Sequence, residues 1–255
     1  MAGNGKTRTF DSDRKIIGIL EAMREQELTG VTELSRELGI AKSTVHAHLN
    51  TLREYGFVQK KDKGYYLGLR FLDYGIHTRD QRLLFRAAKD KVDELAAETG
   101  ERVWCVTEEG GYAVYLYGAS GNSAIKTYET TGQHSPLHPI AAGKAILAFL
   151  PEERAHEIID TTNLEQVTSD TITDRERLFA ELETIRENGV AYNVEESLEG
   201  LHSVATPIRR EGGGVYGAIS IGGPANRLTK QYLDDELSDL LRGVGNEIEI
   251  NIRHM

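Results

Sequence analysis

Residues 31–69 read VTELSRELGIAKSTVHAHLNTLREYGFVQKKDKGYYLGL, and the pattern of this stretch decides what surrounds it. Two short helical repeats meet at Gly39. In the second, Val45, Leu49 and Leu52 recur at i, i+4 and i+7, so they share one buried face. The opposite face carries Ser43, Ala47, Asn50 and Glu54, flanked by Thr44, His46 and Thr51. Short polar or small side chains of this kind fit against base edges in a major groove, whereas a helix needing only solubility more often displays Glu and Lys. Residues 57–60 and 65–67 then alternate like strands around the turn Lys61-Asp62-Lys63-Gly64. This is the plan of a helix-turn-helix followed by a β-wing. The residues it offers to DNA are Lys42, Ser43, Thr44, His46, Ala47 and Asn50 from the reader helix and Lys60, Lys61 and Lys63 from the wing tip. A plain helical hairpin with a solvated lysine turn is the bland reading of the same residues.

Charge supports the first reading once it is divided along the chain. The whole protein has 30 Lys+Arg against 40 Asp+Glu, a net of −10, which on its face argues against a nucleic-acid partner. Residues 1–80 hold 13 basic and 11 acidic residues, a net of +2, and the remainder holds 17 and 29, a net of −12. An acidic body thus carries a mildly basic head, which favours presenting the head to DNA. No apolar run nears the length of a membrane span, and the N-terminal MAGNGKTRTF lacks the apolar core of a signal peptide, so a cytoplasmic location is expected. Cys105 is the single cysteine, which rules out an intramolecular disulfide and a Cys-based zinc finger.

Working outward, residues 13–23 form a first helix with a broad apolar stripe, Thr32 is the expected N-cap of the second, and Gly39 its C-terminal stop. Residues 71–98 read as a connector helix, with an early interruption expected at Gly75 and Thr78. Beyond Gly100 the expected strands are 103–107, 113–117, 124–128, 203–208 and 216–221. Helices are expected at 141–150, from Pro151 onward, at 174–188 and at 229–250. Such a mixture implies an α+β fold, a sheet covered by helices.

These blocks carry a resemblance. LSRELGIAKSTVHAHLNTLREYGFV, GYYLGLRFLDYG, PLHPIAAGKAILAFLP, IRENGVAYNVEESLEGLHSVATPIRR and GAISIGGPANRLT occur in the order and at the spacing of the IclR family of transcriptional regulators, which the whole chain resembles. The resemblance implies a winged helix-turn-helix over 1–70, a linker helix over 71–98 and a GAF-like effector-binding domain over 99–255. It implies an operator DNA partner, a small-metabolite effector, control of catabolic genes and a homodimer or dimer of dimers. It implies neither cofactor nor metal. Carried over by position, Asn193, Ser203, Ser220 and Gly222 would line the effector pocket, with Gly132, Leu137, Ala141 and Ala142 closing its other side. The Ala- and Gly-rich helix start also leaves free amides that suit an anion. Asn193, Ser203 and Gly222 stand where the family commonly has a carboxylate, a Cys and a Ser, which implies a less charged pocket. Ala47 stands where many relatives carry Arg, which implies a different operator sequence.

The competing reading is an enzyme whose C-terminal domain transforms its small molecule while the head localises it. The sequence offers it little. Gly143-Lys144 follows His138 rather than the Gly of a phosphate loop, and Gly118-Ala119-Ser120-Gly121 is not a nucleophile elbow. His134 and His138 are four apart, but Pro136 between them argues against a metal-binding helix and for packing or effector contact. Glu195-Glu196 lacks a neighbouring nucleophile and reads as a solvated or Arg-paired loop.

Overall fold

The computed structural model describes residues 9–26, 29–62, 64–125 and 129–255. Lys63 lies outside the described residues. So does most of the strand expected at 124–128, whose described members Ala124 and Ile125 belong to no strand. The chain divides into two compact units, residues 1–78 and 79–255.

In the first unit, helices α1 (Asp11–Arg24), α2 (Val31–Leu38) and α3 (Lys42–Glu54) precede a ribbon of β1 (Val58–Lys61) and β2 (Gly64–Leu67). The ribbon is antiparallel, with Lys60 opposite Tyr65. Ile19, Leu34, Val45, Leu49 and Val58 are wholly buried and form the shared core. Thr32 is not the cap of α2. The helix begins two residues earlier than that cap would set, at Val31 behind Gly30 and without a side-chain cap. Gly39 ends it in the left-handed region at φ +66°, which sets the sharp turn into α3.

The segment 71–98 is two helices, not one. Helix α4 (Arg70–Asp80) buries no residue, whereas α5 (Leu83–Thr99) buries Leu84, Ala88, Val92, Leu95 and Ala96 at helical spacing. Phe71 and Tyr74 of α4 pack on Phe57, with ring centroids 5.0 and 5.4 Å apart, which ties its first turns to the first unit. Gly75 and Thr78, where an interruption was expected, lie within α4.

The second unit is an antiparallel sheet in the order β5-β4-β3-β8-β7-β6. Its strands are β3 (Arg102–Glu109), β4 (Tyr112–Ser120), β5 (His134–Ser135), β6 (Ala191–Val194), β7 (Leu201–Arg209) and β8 (Val215–Pro224). Alternation along β3 feeds two cores. Val103 and Cys105 face α5 and the C-terminal helix α10 (Ser238–Arg253), which follows a short α9 (Lys230–Tyr232) and a π-helical turn at Leu233–Leu237. Trp104 and Val106 face α6 (Ala141–Phe149), α7 (Glu152–Thr161) and α8 (Arg175–Asn188), the last capped by Asp174 accepting from the Arg177 amide at 2.8 Å. Cys105 is a packed thiol, and burial pushes it up to about 12.

Helix α6 is nearly all buried, and Gly143 is what lets it settle. A Cβ there would stand 2.0 Å from the Leu137 carbonyl oxygen. Gly143→Ala should therefore cost about 1–3 kcal/mol by overpacking. The matched control Gly243→Ala, on an open face of α10, should be neutral or stabilise by up to about 1 kcal/mol. Urea unfolding followed by circular dichroism checks both; equal effects of the two substitutions would contradict the assignment.

Candidate functional site

On the first unit, Lys42, Ser43, His46 and Ala47 are exposed along α3, and Thr44 and Asn50 are half-buried beside them. Asn50 Nδ2 donates to His46 Nδ1 at 3.1 Å, so these two polar side chains are held together one turn apart. Thr51 Oγ1 donates back to the Ala47 carbonyl at 3.2 Å. Lys60 and Lys61 are exposed on β1, and the Lys60 ammonium lies 5.7 Å from the Tyr65 ring centre. Adjacent strand residues point to opposite faces, so these two lysines serve two sides of the ribbon.

On the second unit, sheet register assembles a polar row from residues far apart in sequence. Asn193 on β6 pairs with Ser203 on β7, Ser203 with Gly222 on β8, Gly222 with Arg102 on β3, and Arg102 with Ser120 on β4. The next row places Ser220 beside Trp104. Directly opposed residues stand on the same face, so both rows front the same space. Gly222 leaves the gap between Ser203 and Arg102, since a Cβ there would come to 3.3 Å from Ser203 Cβ. Across from the sheet stand Ala141 and Ala142, in the first turn of α6, which has no side-chain cap. The cavity so formed lies between these strands and the first turn of α6 and opens to solvent.

Of the residues expected to line a pocket, Ala141, Ala142, Asn193, Ser203, Ser220 and Gly222 do so. Gly132 and Leu137 do not. Gly132 is exposed in a turn at φ +87°, donating to the Tyr115 carbonyl, and Leu137 is 1% exposed beneath α6. The pocket is also more charged than expected, because Arg102 and Glu129 line it together with Trp104 and Tyr115. Arg102 stacks on Trp104, its Cζ 4.1 Å from the ring centre, and donates through Nη1 to Ser120 Oγ. Trp104 meets Tyr115 edge-on at 4.9 Å. Burial holds Arg102 below its ordinary value, opposed by the charge of Glu129, and raises the Tyr115 hydroxyl.

Behind the cavity lies a buried polar cluster. Lys144 of α6, 1% exposed, donates to Glu196 at 2.6 Å and to Glu181 of α8 at 3.1 Å. Glu196 is therefore not a solvated loop residue. Its amide donates to Asn193 Oδ1 at 2.8 Å, and Asn193 Nδ2 donates to Ser197 Oγ at 2.6 Å, which binds the cluster to the pocket wall. Burial, more than the opposing pull of Lys144, holds the Glu196 carboxyl above its usual range.

A helix-turn-helix with a wing, joined to a separate sheet unit with a polar cavity, defines a DNA-binding regulator with an effector-binding domain. Residues 14–62 match the IclR helix-turn-helix domain and residues 77–250 the bacterial transcriptional regulator IclR C-terminal domain. The chain belongs to the IclR family of transcriptional regulators. It is 33% identical to the probable HTH-type transcriptional regulator ArcR of Halobacterium salinarum, over 98% of this chain and 97% of that one. The crystal structure of the Thermotoga maritima IclR superposes with a TM-score of 0.80 at 30% identity, covering 95% of this chain and 98% of that one. The fold is also that of an IclR homolog from Microbacterium hydrocarbonoxydans complexed with 4-hydroxybenzoate, with a TM-score of 0.82, 20% identity, and 96% and 100% coverage.

His138 does not share a site with His134, which sits on β5 against Tyr112. His138 is 2% exposed, and its Nε2–H donates to the Glu165 carbonyl at 3.0 Å while Nδ1 has no partner among the described residues. Burial, helped by the Lys144 charge, depresses its proton affinity. A histidine depressed in the folded state contributes stability that is whole above its unfolded pKa of about 6.5 and is lost as pH falls through the folded value. The stability gap between wild type and His138→Gln should accordingly shrink as pH drops from 7.5 to about 5. Thermal melts of both proteins across that range measure it, and a gap that widens on acidification would refute the assignment.

Proposed function

We propose that this regulator reads a pseudopalindromic operator with the α3 face and the β1–β2 wing of two copies, and that a small metabolite in the sheet cavity sets its operator affinity. The observation that carries the reading is the α3 face itself, with Lys42, Ser43, His46 and Ala47 exposed and His46 tied to Asn50. Lys60 and Lys61 supply phosphate contacts beside it, and Lys63 completes the wing tip in this reading. Residues 1–70 are the reading head, 71–98 the connection and 99–255 the effector domain. The genes controlled are catabolic, the protein acts in the cytoplasm, and it performs no catalysis. No helix among the described residues is long and apolar enough to cross a membrane. The complex named above with 4-hydroxybenzoate supports a small organic ligand as effector.

Pairing of two copies is supported by α4 and its approach. Leu69, Leu72 and Tyr74 are 84%, 59% and 50% exposed, and Ile76 is also exposed on the same short helix. An uncovered apolar helix of this kind calls for a partner surface, and a second copy delivers two heads to one operator.

Gel-shift titration on DNA upstream of the gene and on single-base operator variants tests the head. Asn50→Ala should flatten discrimination at one operator position by about 1–3 kcal/mol. Lys60→Ala and Lys61→Ala should weaken all sequences alike and each reduce the slope of log affinity against log salt by about 0.9. A wild type with no sequence preference, or an Asn50→Ala protein with unchanged preference, counts against the reading. For the cavity, Ser220→Arg should abolish the effector response while operator affinity stays within about twofold of wild type. A full response from Ser220→Arg would place the effector elsewhere.

A further inference from the structure

Two charged groups of opposite sign in the cavity each keep one buried polar atom without a partner among the described residues. The Arg102 guanidinium is fixed from two sides, by the Trp104 face and by Ser120 Oγ, yet its Nε is buried and bonded to nothing among the described residues. Stacking cannot satisfy that N–H, because it points in the guanidinium plane and away from the ring beneath. Glu129 Oε2 is likewise buried and unpartnered among the described residues. The two charges are close enough for Glu129 to act on Arg102, but no ion pair joins them among the described residues. Both line the same cavity.

A buried unsatisfied donor or acceptor costs free energy, and a charged one costs more. Such a pair persists in a binding site when a ligand completes it. A monocarboxylate would satisfy Arg102 but bring a second negative charge beside Glu129. A simple amine would do the reverse. A neutral sugar could offer hydrogen bonds to both, but each ionised group would then meet only a neutral partner in a partly desolvated space, the weaker of the two kinds of hydrogen bond. From these two orphaned groups we infer that the effector is a small zwitterion, with a carboxylate for Arg102 and a cationic nitrogen for Glu129 on one short carbon frame, as in a free α-amino acid. The uncapped first turn of α6 stands at the same cavity and offers further amide donors to the carboxylate end. Trp104 and Tyr115 provide an apolar wall for the carbon frame, and the hydroxyls of Ser203 and Ser220 remain available to select its side chain. This inference rests on the reading of the cavity as the effector pocket and names the chemical class that pocket accepts.

Isothermal titration of the full-length protein with each proteinogenic L-α-amino acid tests it. Every binder is then compared with its 2-hydroxy acid, which lacks the amine, and with its decarboxylated amine. At least one amino acid should bind, with each truncated analogue weaker by about tenfold or more. Arg102→Gln should erase the penalty for losing the carboxylate and keep the penalty for losing the amine, and Glu129→Gln should do the opposite. Failure of every amino acid to bind, or a hydroxy acid or amine binding as tightly as its parent, overturns the zwitterion. The same result separates the two readings through Ser220→Arg. If another metabolite releases the wild type from DNA and Ser220→Arg abolishes that release, the pocket stands and only the ligand class falls. If Ser220→Arg responds like wild type, the pocket assignment falls as well.

Discussion

The Lys144 ammonium cannot be left alone in the apolar layer between sheet and helices, and the shape of the cavity wall follows from how it is neutralised. An isolated charge at that depth costs several kcal/mol, and removing one partner of a buried pair costs about 3–5 kcal/mol. Its neutralisation therefore holds in place whatever supplies the carboxylates. Glu181 comes from α8, and Glu196 comes from the loop between β6 and β7, so Lys144 draws both against α6. The loop is fixed further by Thr168 and Thr171, whose hydroxyls donate at 2.7 Å to the carbonyls of Glu195 and Glu196. Glu195 accepts a left-handed backbone at φ +62° to let Glu196 turn inward. From Glu196 the chain of bonds runs to Asn193 and Ser197, which face the cavity. The wall that meets a ligand is thus anchored from behind by a charge pair that tolerates little drift.

How much of this was legible in the sequence depended on whether the signal was local. The helix-turn-helix rested on spacings of three and four residues and on Gly39, and each element formed within a residue or two of where it was expected. Thr32 failed as a cap because Gly30 and Val31 let the helix start earlier, a choice of a fraction of a turn that one residue's preference does not decide. The break in the linker was expected at Gly75 and Thr78 and falls after Asp80, because the residues keep a helical composition throughout. What separates α4 from α5 is what covers them, and burial against the sheet is a tertiary fact.

The cavity divides the same way. Six lining residues lie in blocks that resemble the family and could be placed by position. Arg102 and Glu129 lie outside those blocks, and only the pairing of β3 with β8 brings Arg102 opposite Gly222. A partial signal did exist, since a strand was expected from Val103, and one residue of extension puts Arg102 two before Trp104 and so on the same face. Which partner strand faced that side was the missing fact. Departures at Asn193, Ser203 and Gly222 pointed to a pocket with little charge. The charge is present, supplied from other strands and loops, so single-position comparison counted the losses and not the replacements.

Coupling between cavity and head is constrained by the contrast between the two helices that join them. Helix α5 is packed against β3 and β4 and shares their core, so a rearrangement of the sheet on ligand binding is felt along its length. Helix α4 has no residue buried, and its first turns are held to the head through Phe57. Between them Arg79 stacks on Phe85, 4.2 Å from its ring centre, and Arg82 pairs with Glu109 at the end of β3, so the start of α5 is clamped from both sides. Helix α4 keeps an exposed apolar surface at Leu72 and Ile76. A tenfold change in operator affinity requires only about 1.4 kcal/mol of coupling, the scale of a modest repacking of such a surface. By linkage the operator must change effector affinity by the same factor, so the geometry that serves the cavity must also serve the head in return.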